Sequence, residues 1–330
     1  MKKICVLPLI LATLFVSCQA RQAQTTGGSG SAPARPARPE IFSLATASLG
    51  GTYYIVGVGL AEIITQSVSH LTVNAVIAGG STGNPTMLGN NEAELGITNY
   101  ISAAAARAGS GAYSSPIAIA GICPLQYSTL HIMVMGNRND INSMADLRGK
   151  RVNLGPAAGG GALFFREILP AWGLSESDFT FSFLSYGEGT EALRDGRIDC
   201  NTPNGAAPLE AVSSLAAQGS VKLINLETEN MMRVKQNNPY YDIGIIPGGT
   251  YRGIDTDVQT GGVQDILVVR QDMSDDNVYL ITKAIYESLE ELRKVHPSIS
   301  TLKFDGYKDS LVPLHPGAKR FYQEKGIPIE

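Results

Sequence analysis

The chain has 330 residues, of which 44% are hydrophobic and 17% are charged. This apolar content is enough to offset the conformational entropy lost on folding, which excludes a disordered protein, and the length accommodates two ordinary domains. The 26 Lys and Arg residues against 30 Asp and Glu residues give a net charge of −4, and no segment beyond residue 40 concentrates basic residues. We therefore expect no nucleic-acid partner.

Residues 1–17 have the layout of a bacterial secretory signal peptide. Lys2 and Lys3 precede an apolar run over residues 4–16, which is shorter than the roughly 20 residues that a membrane-spanning helix needs. The following Ser17-Cys18 pair resembles the end of a lipobox, although Phe15 stands where a lipobox usually has Leu. We predict that Cys18 becomes an acylated N terminus, for example carrying palmitate; the alternative is a cleaved signal without lipid.

Residues 18–40 predict a lipid-anchored flexible linker. After Cys18 this segment has no large apolar side chain and passes from Gly/Ser-rich into Pro-rich sequence. A coil of this length reaches about 25 Å, which is enough to hold a folded domain just clear of a membrane. The predicted location is the periplasmic or extracytoplasmic face of a bacterial membrane.

From residue 41 onward, short apolar runs alternate with segments of helical period. In chain order the predicted strands are IFSLATA, LTVNAVIA, ELGITN, HIMVM, RVNLG, FTFSFLSY, RIDCNTP and VKLINL, then residues 240–246 and 263–270. The predicted helices include residues 101–108, 143–149, 160–170, 187–196, 206–218 and 275–296. This alternation predicts two α/β units laid end to end, each with a mostly parallel sheet flanked by helices.

Three glycine-bearing loops each follow a predicted strand and precede a predicted helix. Ligands on open parallel sheets bind beyond the carboxyl ends of the strands, where helix N-termini present unpaired N–H groups to anions. The first loop offers Gly51 for close backbone approach, the Thr52 hydroxyl, and Tyr53 as a flat wall with a polar tip. A tight turn with core tyrosines is the alternative.

The second loop contains Ser81 and Thr82 within the pattern Gly79-x-Ser81-x-Gly83. This pattern matches the nucleophile elbow of α/β-hydrolases, which also requires an acid, a later histidine and an oxyanion loop. Later histidines are available at positions 131, 296 and 315, but no HGGG-type segment is present. The alternative, which we favour, is that the two hydroxyls donate hydrogen bonds to a bound carboxylate.

The third loop runs from Gly155 to Gly161. It lacks the Lys-Ser/Thr ending of a P-loop and the spacing of a dinucleotide fingerprint, which disfavours a nucleotide and favours a smaller anion. Its candidate binding residues are Pro156, Ala157, Gly159, Gly160 and Gly161. Asn99 and Asn204 add neutral polar groups at further strand ends, with a helix cap or a turn as the alternative role for each.

Metal and cofactor chemistry find no support in the sequence. The histidines show no metal-ligand spacing and no carboxylate pair stands out, so we expect no metal, no cofactor and no catalytic residue. Two cysteines, Cys123 and Cys200, remain in the body of the chain. They allow either a disulfide or two isolated buried thiols.

Together these segments resemble the TAXI-type solute receptors of TRAP transporters. The motifs that carry the resemblance, in order and spacing, are GGTYYIVGVGLAEII, AGGSTGN with NEAELGITN, MADLRGKRVNLGPAAGGG, YGEGTEALRDGRID, IPGGTYRGID, and DDNVYLITKAIYESLEEL with VPLHPGAKRFY. The resemblance implies a periplasmic-binding-protein type II clamshell that captures a small organic anion and delivers it to a membrane permease. It places the cleft on the three loops and on Asn99, where the family more often has Gln.

The implied ligand is a small carboxylate such as glutamate, glutamine, 2-oxoglutarate or a dicarboxylate, and the implied partners are TRAP transporter membrane subunits. We expect lobe 1 to comprise residues 41–130 and about 251–330, and lobe 2 to comprise residues 131–250. The segments HIMVM (131–135) and ILVVR (266–270) are the predicted hinge crossings. A serine hydrolase using Ser81 and a ligand sensor that signals to a membrane partner are the alternative functions.

Overall fold

The computed structural model describes residues 38–219 and 221–330. The predicted signal peptide, Cys18 and nearly all of the predicted linker lie outside these residues. Within them no helix has both the length and the apolar character needed to cross a membrane.

The chain forms two β-sheets. In chain order the strands are β1 Glu40–Ala45, β2 Leu71–Val76, β3 Leu95–Asn99, β4 Ile119–Leu130, β5 Met133–Met135, β6 Arg151–Asn153, β7 Thr180–Ser182, β8 Cys200–Asn201, β9 Asn204–Gly205, β10 Val221–Leu223, β11 Asp242–Ile246 and β12 Val258–Arg270. The first sheet has the order β2-β1-β3-β12-β4-β9, with β11 also paired to β12. The second sheet has the order β10-β5-β8-β6-β7.

Helices flank both sheets. They are α1 Thr52–Ser67, α2 Gly83–Gly89, α3 Tyr100–Ala108, α4 Gly160–Ile168, α5 Tyr186–Arg194, α6 Glu210–Gln218, α7 Thr228–Asn237, α8 Asp275–Glu287, α9 Leu289–Val295 and α10 Pro316–Lys325. Short 3-10 turns cover Ala145–Leu147, Leu169–Trp172, Glu176–Asp178 and Pro297–Ile299. The two-lobed α/β architecture predicted from the alternation is confirmed.

Each sheet is mixed rather than mostly parallel. In the first sheet β1, β2 and β3 run parallel, as right-handed strand–helix–strand units require, but β12 runs antiparallel to β3 and to β4. In the second sheet β6, β7 and β8 run parallel, while β5 runs antiparallel to its neighbours. Among the described residues no helix lies between β4 and β5 or between β11 and β12, so neither β5 nor β12 is reached through a strand–helix–strand crossover, which parallel pairing requires.

Three predicted helices differ in their extent. Residues 143–149 form only a 3-10 turn over Ala145–Leu147. The helix predicted from residue 206 begins at Glu210, since Pro208 disfavours helical geometry in the residue before it. The long helix predicted over residues 275–296 divides at Ser288, which ends α8 and precedes α9 with φ −105° and ψ 22°.

The longest strands, β4 and β12, lie side by side through the middle of the molecule. The chain leaves the first sheet after Leu130 and enters the second at Met133, so a crossing occurs within the predicted segment 131–135. The other predicted crossing is wrong, because residues 266–270 lie inside the first sheet, paired with β4 and largely with β3. The boundaries of the two lobes stay a prediction.

Three buried clusters form the core. The first draws on residues between 42 and 125 and between 266 and 322, and it packs α1, α8 and α10 against the first sheet. The other two draw almost entirely on residues between 130 and 263 and surround the second sheet. Cys123 and Cys200 are both buried free thiols, so the two isolated thiols, rather than the disulfide, are the arrangement observed.

Candidate functional site

The three glycine loops meet at one cavity. Its lining residues are Ala47, Ser48, Gly51, Thr52, Tyr53, Gly79, Gly80, Ser81, Pro156, Gly159, Gly160, Tyr186 and Asn204. The cavity has a volume of about 30 Å³, which is space for one or two water molecules. The loops therefore lie against one another around a small space, in a closed arrangement.

The first loop presents the uncapped N-terminus of α1. Gly51 is the N-cap residue, no side chain caps the helix, and no acidic residue lies in its first turn. The first N–H groups of such a helix have no partner within it and carry the positive end of the helix dipole. The Thr52 hydroxyl donates to the carbonyl of Ala206 at 3.0 Å, which ties this loop to the segment that follows β9.

The third loop presents the N-terminus of α4 in the same way. Gly159 is the N-cap residue, without a capping side chain or an acidic first turn. Gly155 adopts a left-handed φ of 78°, and a Cβ there would lie 2.3 Å from the ring of Tyr186. Only glycine meets both conditions, and the loop consequently lies directly against the tyrosine that forms the cavity wall.

The third loop is hydrogen-bonded to the second loop. The N–H groups of Thr82 and Gly83 both donate to the carbonyl of Ala158, at 3.2 and 3.0 Å. Asn84 anchors the loop from behind by donating to the carbonyls of Ala45, Thr46 and Ile97. In this closed arrangement the second loop contributes the Ser81 side chain to the cavity, whereas Thr82 lies outside its lining.

The predicted site residues separate into two groups. Those that line the cavity are Gly51, Thr52, Tyr53, Ser81, Pro156, Gly159, Gly160 and Asn204, and those outside its lining are Thr82, Asn99, Ala157 and Gly161. Asn99 caps α3 by accepting from the N–H of Ser102 at 2.8 Å, which is its alternative role from the sequence. Ala157 is exposed at the tip of its loop. Whether these residues bind ligand stays a prediction.

Ser48 and Tyr186 place polar side chains in the cavity wall but were not among the predicted binding residues. Ser48 is the first residue of the first loop, and its hydroxyl is buried without a hydrogen-bond partner among the described residues. Tyr186 opens α5, and its hydroxyl donates to the carbonyl of Asn204 at 3.1 Å. The signal for Tyr186 was its place at the end of a predicted strand, directly before a predicted helix, which is the kind of junction at which the three glycine loops lie as well.

A buried carboxyl lies behind the cavity. Tyr53 donates to Oδ1 of Asp265 at 2.6 Å, and Gln126 donates to Oδ2 at 3.0 Å, with Ser128 as a further donor. Burial raises the pKa of Asp265 to about 7, against the lowering effect of these hydrogen bonds on the pKa. Asp265 lies in β12, within a run that the sequence pattern presented only as an apolar strand.

The hydrolase pattern has a suitable local context but lacks a neighbouring base. Ser81 lies between β2 and α2, as a nucleophile elbow requires. His131 uses its nitrogens on the carbonyl of Thr129 and the hydroxyl of Tyr251, and burial lowers its pKa to about 4. The other three histidines likewise hydrogen-bond residues distant from Ser81. The geometry at Ser81 therefore favours binding over catalysis.

Metal ligation is not a feature of this site. Across residues 38–219 and 221–330 no group of three or more His, Cys, Asp or Glu side chains could hold a metal ion. The cavity lining offers hydroxyls, an amide and backbone N–H groups, which are hydrogen-bonding partners for a small polar molecule.

Two mixed β-sheets flanked by helices, joined by long central strands and with a cavity between strand-to-helix loops, define a two-lobed fold of the periplasmic-binding-protein type. Residues 44–326 match the model of the NMT1-like family, and the chain belongs to that family.

Solved structures with similar folds have low sequence identity to this chain. A protein from Bordetella bronchiseptica RB50 is 16% identical with a TM-score of 0.51, over 85% of this chain and 82% of that one. The alkanesulfonate-binding protein SsuA from Xanthomonas axonopodis pv. citri, bound to MOPS, is 14% identical with a TM-score of 0.48, over 87% and 84%. An ancestral arginine-binding protein bound to glutamine is 12% identical with a TM-score of 0.48, over 77% and 95%.

Proposed function

We propose that this protein is an extracytoplasmic receptor that captures a small organic anion and delivers it to a membrane transporter. The observation that carries the proposal is the meeting of two uncapped helix N-termini, those of α1 and α4, at one cavity. No Lys or Arg is among the lining residues of this cavity. A carboxylate would therefore be held by backbone N–H groups whose dipoles are fixed before it binds.

Two further groups at the cavity need partners. The Ser48 hydroxyl and Oδ1 of Asn204 are buried, and neither has a hydrogen-bond partner within the described residues. Buried polar groups are nearly always paired in folded proteins, so a bound polar molecule is the natural partner for both. Both residues line the cavity, so a single ligand would reach them.

Capture requires the lobes to move apart. A space of about 30 Å³ cannot admit a molecule of the size of glutamate. The two hydrogen bonds that Thr82 and Gly83 donate to Ala158 join loops before α2 and before α4, and opening would break both. Ligand that contacts both lobes would favour a closed form, because only such differential contact shifts the open–closed balance.

The finer identity that we propose is a TAXI-type receptor of a TRAP transporter, anchored through acylated Cys18. The order and spacing of the eight sequence motifs support the TRAP assignment, and the family match over residues 44–326 spans all of them. The ligand class is a small carboxylate such as glutamate, glutamine or 2-oxoglutarate. Lobe 1 would comprise residues 41–130 and about 251–330, and lobe 2 residues 131–250.

The experiment combines ligand identification with a matched pair of variants. Native mass spectrometry of the protein isolated from its membrane would identify the small molecule that co-purifies, and calorimetry would then compare wild type with Ser81→Ala and Ser310→Ala. Ser310 is exposed and distant from the cavity, so it controls for the substitution itself. We expect Ser81→Ala to weaken binding by about tenfold to a hundredfold, the equivalent of one hydrogen bond to a charged group. Equal affinity in both variants would contradict the site.

A further inference from the structure

The inference concerns Asp265, which lies behind the cavity. Its side chain is fully buried, and its hydrogen-bond partners Tyr53, Gln126 and Ser128 are all neutral donors. Two of these partners lie on β4 and the third on α1, so the carboxyl is held from two sides. A carboxyl surrounded by three donors is arranged to accept hydrogen bonds, which is the arrangement of an ionised group.

This carboxylate has no cation of its own. In residues 38–219 and 221–330 it forms no ion pair with a Lys, Arg or His side chain. The titratable groups that its charge reaches are tyrosines, namely Tyr53 on α1, Tyr127 on β4 and Tyr186 on α5. Burial is the main cause that raises the pKa of each, and the charge of Asp265 raises it further. Because buried charges are normally paired, a cationic group supplied from outside the chain would be stabilised here.

The route from Asp265 to the cavity passes through Tyr53. When Asp265 is ionised, the Tyr53 hydroxyl commits its proton to Oδ1, so the phenolic oxygen has only lone pairs left to offer. Burial raises the pKa of Tyr53, and the hydroxyl of Ser81, its neighbour in the cavity lining, opposes that rise in part. Tyr53 and Ser81 both line the cavity, so this wall presents hydrogen-bond acceptors to a ligand.

We propose that Asp265 is a positioning residue that makes the Tyr53–Ser81 wall an acceptor for the ammonium group of an α-amino acid, whose carboxylate binds at the N-termini of α1 and α4. This proposal rests on the proposed receptor function and narrows its ligand class. It favours glutamate or glutamine over 2-oxoglutarate, since an oxo group has no proton to donate to an acceptor wall. It also gives Ser81 the role of acceptor, where the sequence pattern suggested a donor.

The proposal has a definite pH dependence. Burial raises the pKa of Asp265 to about 7, so the residue is ionised at pH 8 and protonated at pH 5.5. A protonated Asp265 donates to Tyr53, whose own hydroxyl proton then turns towards the cavity and repels an ammonium group. Affinity for an amino acid should fall at least tenfold from pH 8 to pH 5.5, while the ligand itself keeps its charge over this range.

The experiment uses three pairs of probes that differ only in the amino or oxo group: alanine and pyruvate, glutamate and 2-oxoglutarate, and leucine and 4-methyl-2-oxopentanoate. Calorimetry at pH 8 and pH 5.5 would measure the affinity of the full mature protein for both members of each pair. The measurement would be made on wild type, Asp265→Asn and Tyr53→Phe. Asp276→Asn is the matched control, because that carboxylate is exposed and paired with Arg320. Wild type alone supplies the pH test should a variant fail to fold.

We expect one amino member to bind at least tenfold more tightly than its oxo partner at pH 8, with the preference reduced at pH 5.5 and in Asp265→Asn but kept in Asp276→Asn. Binding of an oxo acid equal to or tighter than that of its amino partner would overturn the inference and leave the receptor function standing. An amino preference that survives unchanged at pH 5.5 and in Asp265→Asn would also overturn it. If no probe binds, the amino-acid class is wrong; if in addition no small molecule co-purifies, the receptor function fails as well.

Discussion

A Cβ atom on Gly160 would lie 2.2 Å from Oγ of Ser81. The two residues belong to different loops, one before α4 and one before α2, so the absence of a side chain at residue 160 is what allows these loops to meet. Closure of the cleft should therefore be sensitive to any side chain placed at residue 160.

Gly160→Val should hold the loops apart. The Ser81 hydroxyl can rotate away from one added carbon, but a branched side chain also approaches Ser81 Cβ and Asn99. We expect ligand affinity to fall by about tenfold or more, and the radius of gyration in X-ray scattering to stay at its ligand-free value when ligand is added. Gly187→Val is the control, since a Cβ at that position in the first turn of α5 meets nothing within 4 Å. Equal closure in both variants would show that this contact does not govern the cleft.

His131 should contribute stability that is lost in acid. Burial lowers its pKa to about 4, below an ordinary value of 6.5, so its contribution is complete above pH 6.5 and is lost as the pH falls towards 4. Urea denaturation at pH 7 and pH 4.5 should show wild type losing about 2 kcal/mol more than His131→Gln over this interval. Equal losses in wild type and His131→Gln would refute the prediction.

Ser81 should not react as a nucleophile. None of the four histidines lies in hydrogen-bonding contact with it, and the His131 nitrogens already have partners. We expect a fluorophosphonate probe to leave the protein unlabelled under conditions that fully label a known serine hydrolase. Stoichiometric modification that disappears in Ser81→Ala would establish the hydrolase alternative instead.

Cys18→Ser should release the protein from membranes. The predicted linker has no apolar segment to retain the chain once acylation is lost, and a thiol at this position is what the lipobox pattern modifies. Labelled palmitate should be incorporated into wild type and into Cys5→Ala, but not into Cys18→Ser. A wild type without label, and a variant that stays in the membrane fraction, would favour the cleaved signal without lipid.

Local sequence patterns were sufficient for the elements around the first three strands. In this region each apolar run is short, ends at glycine or a polar residue, and is followed by a helix of clear period, so β1, β2 and β3 lie close to their predicted positions. The pattern predicted no element at β4, which is buried along nearly its whole length and contains Pro124. A strand enclosed on both faces has no alternation to detect.

The parts of the site that depend on backbone conformation were predictable from the sequence, whereas the contacts between side chains distant in the sequence were not. Glycine-rich loops indicate positions at which two backbone segments can approach closely, and most of the residues predicted in these loops line the cavity. The contact between Tyr53 and Asp265 joins residues 212 positions apart in the chain, and no periodicity specifies such a pair. A lone carboxylate inside an apolar strand was the available signal, because Asp is rarely buried without a partner.

The segment between β4 and β12 begins and ends at neighbouring residues of the first sheet. Thr129 pairs with Gly262 in the first sheet, and the Thr260 hydroxyl donates to the carbonyl of Leu130, so the chain returns beside the point at which it left. The chain between residues 131 and 257 is therefore joined to the first sheet at neighbouring residues, and its strands β9 and β11 pair with that sheet beside the same point. The α4 half of the cavity is thus attached to the α1 half through neighbouring points of the chain, so a relative movement of the two halves would bend the chain there.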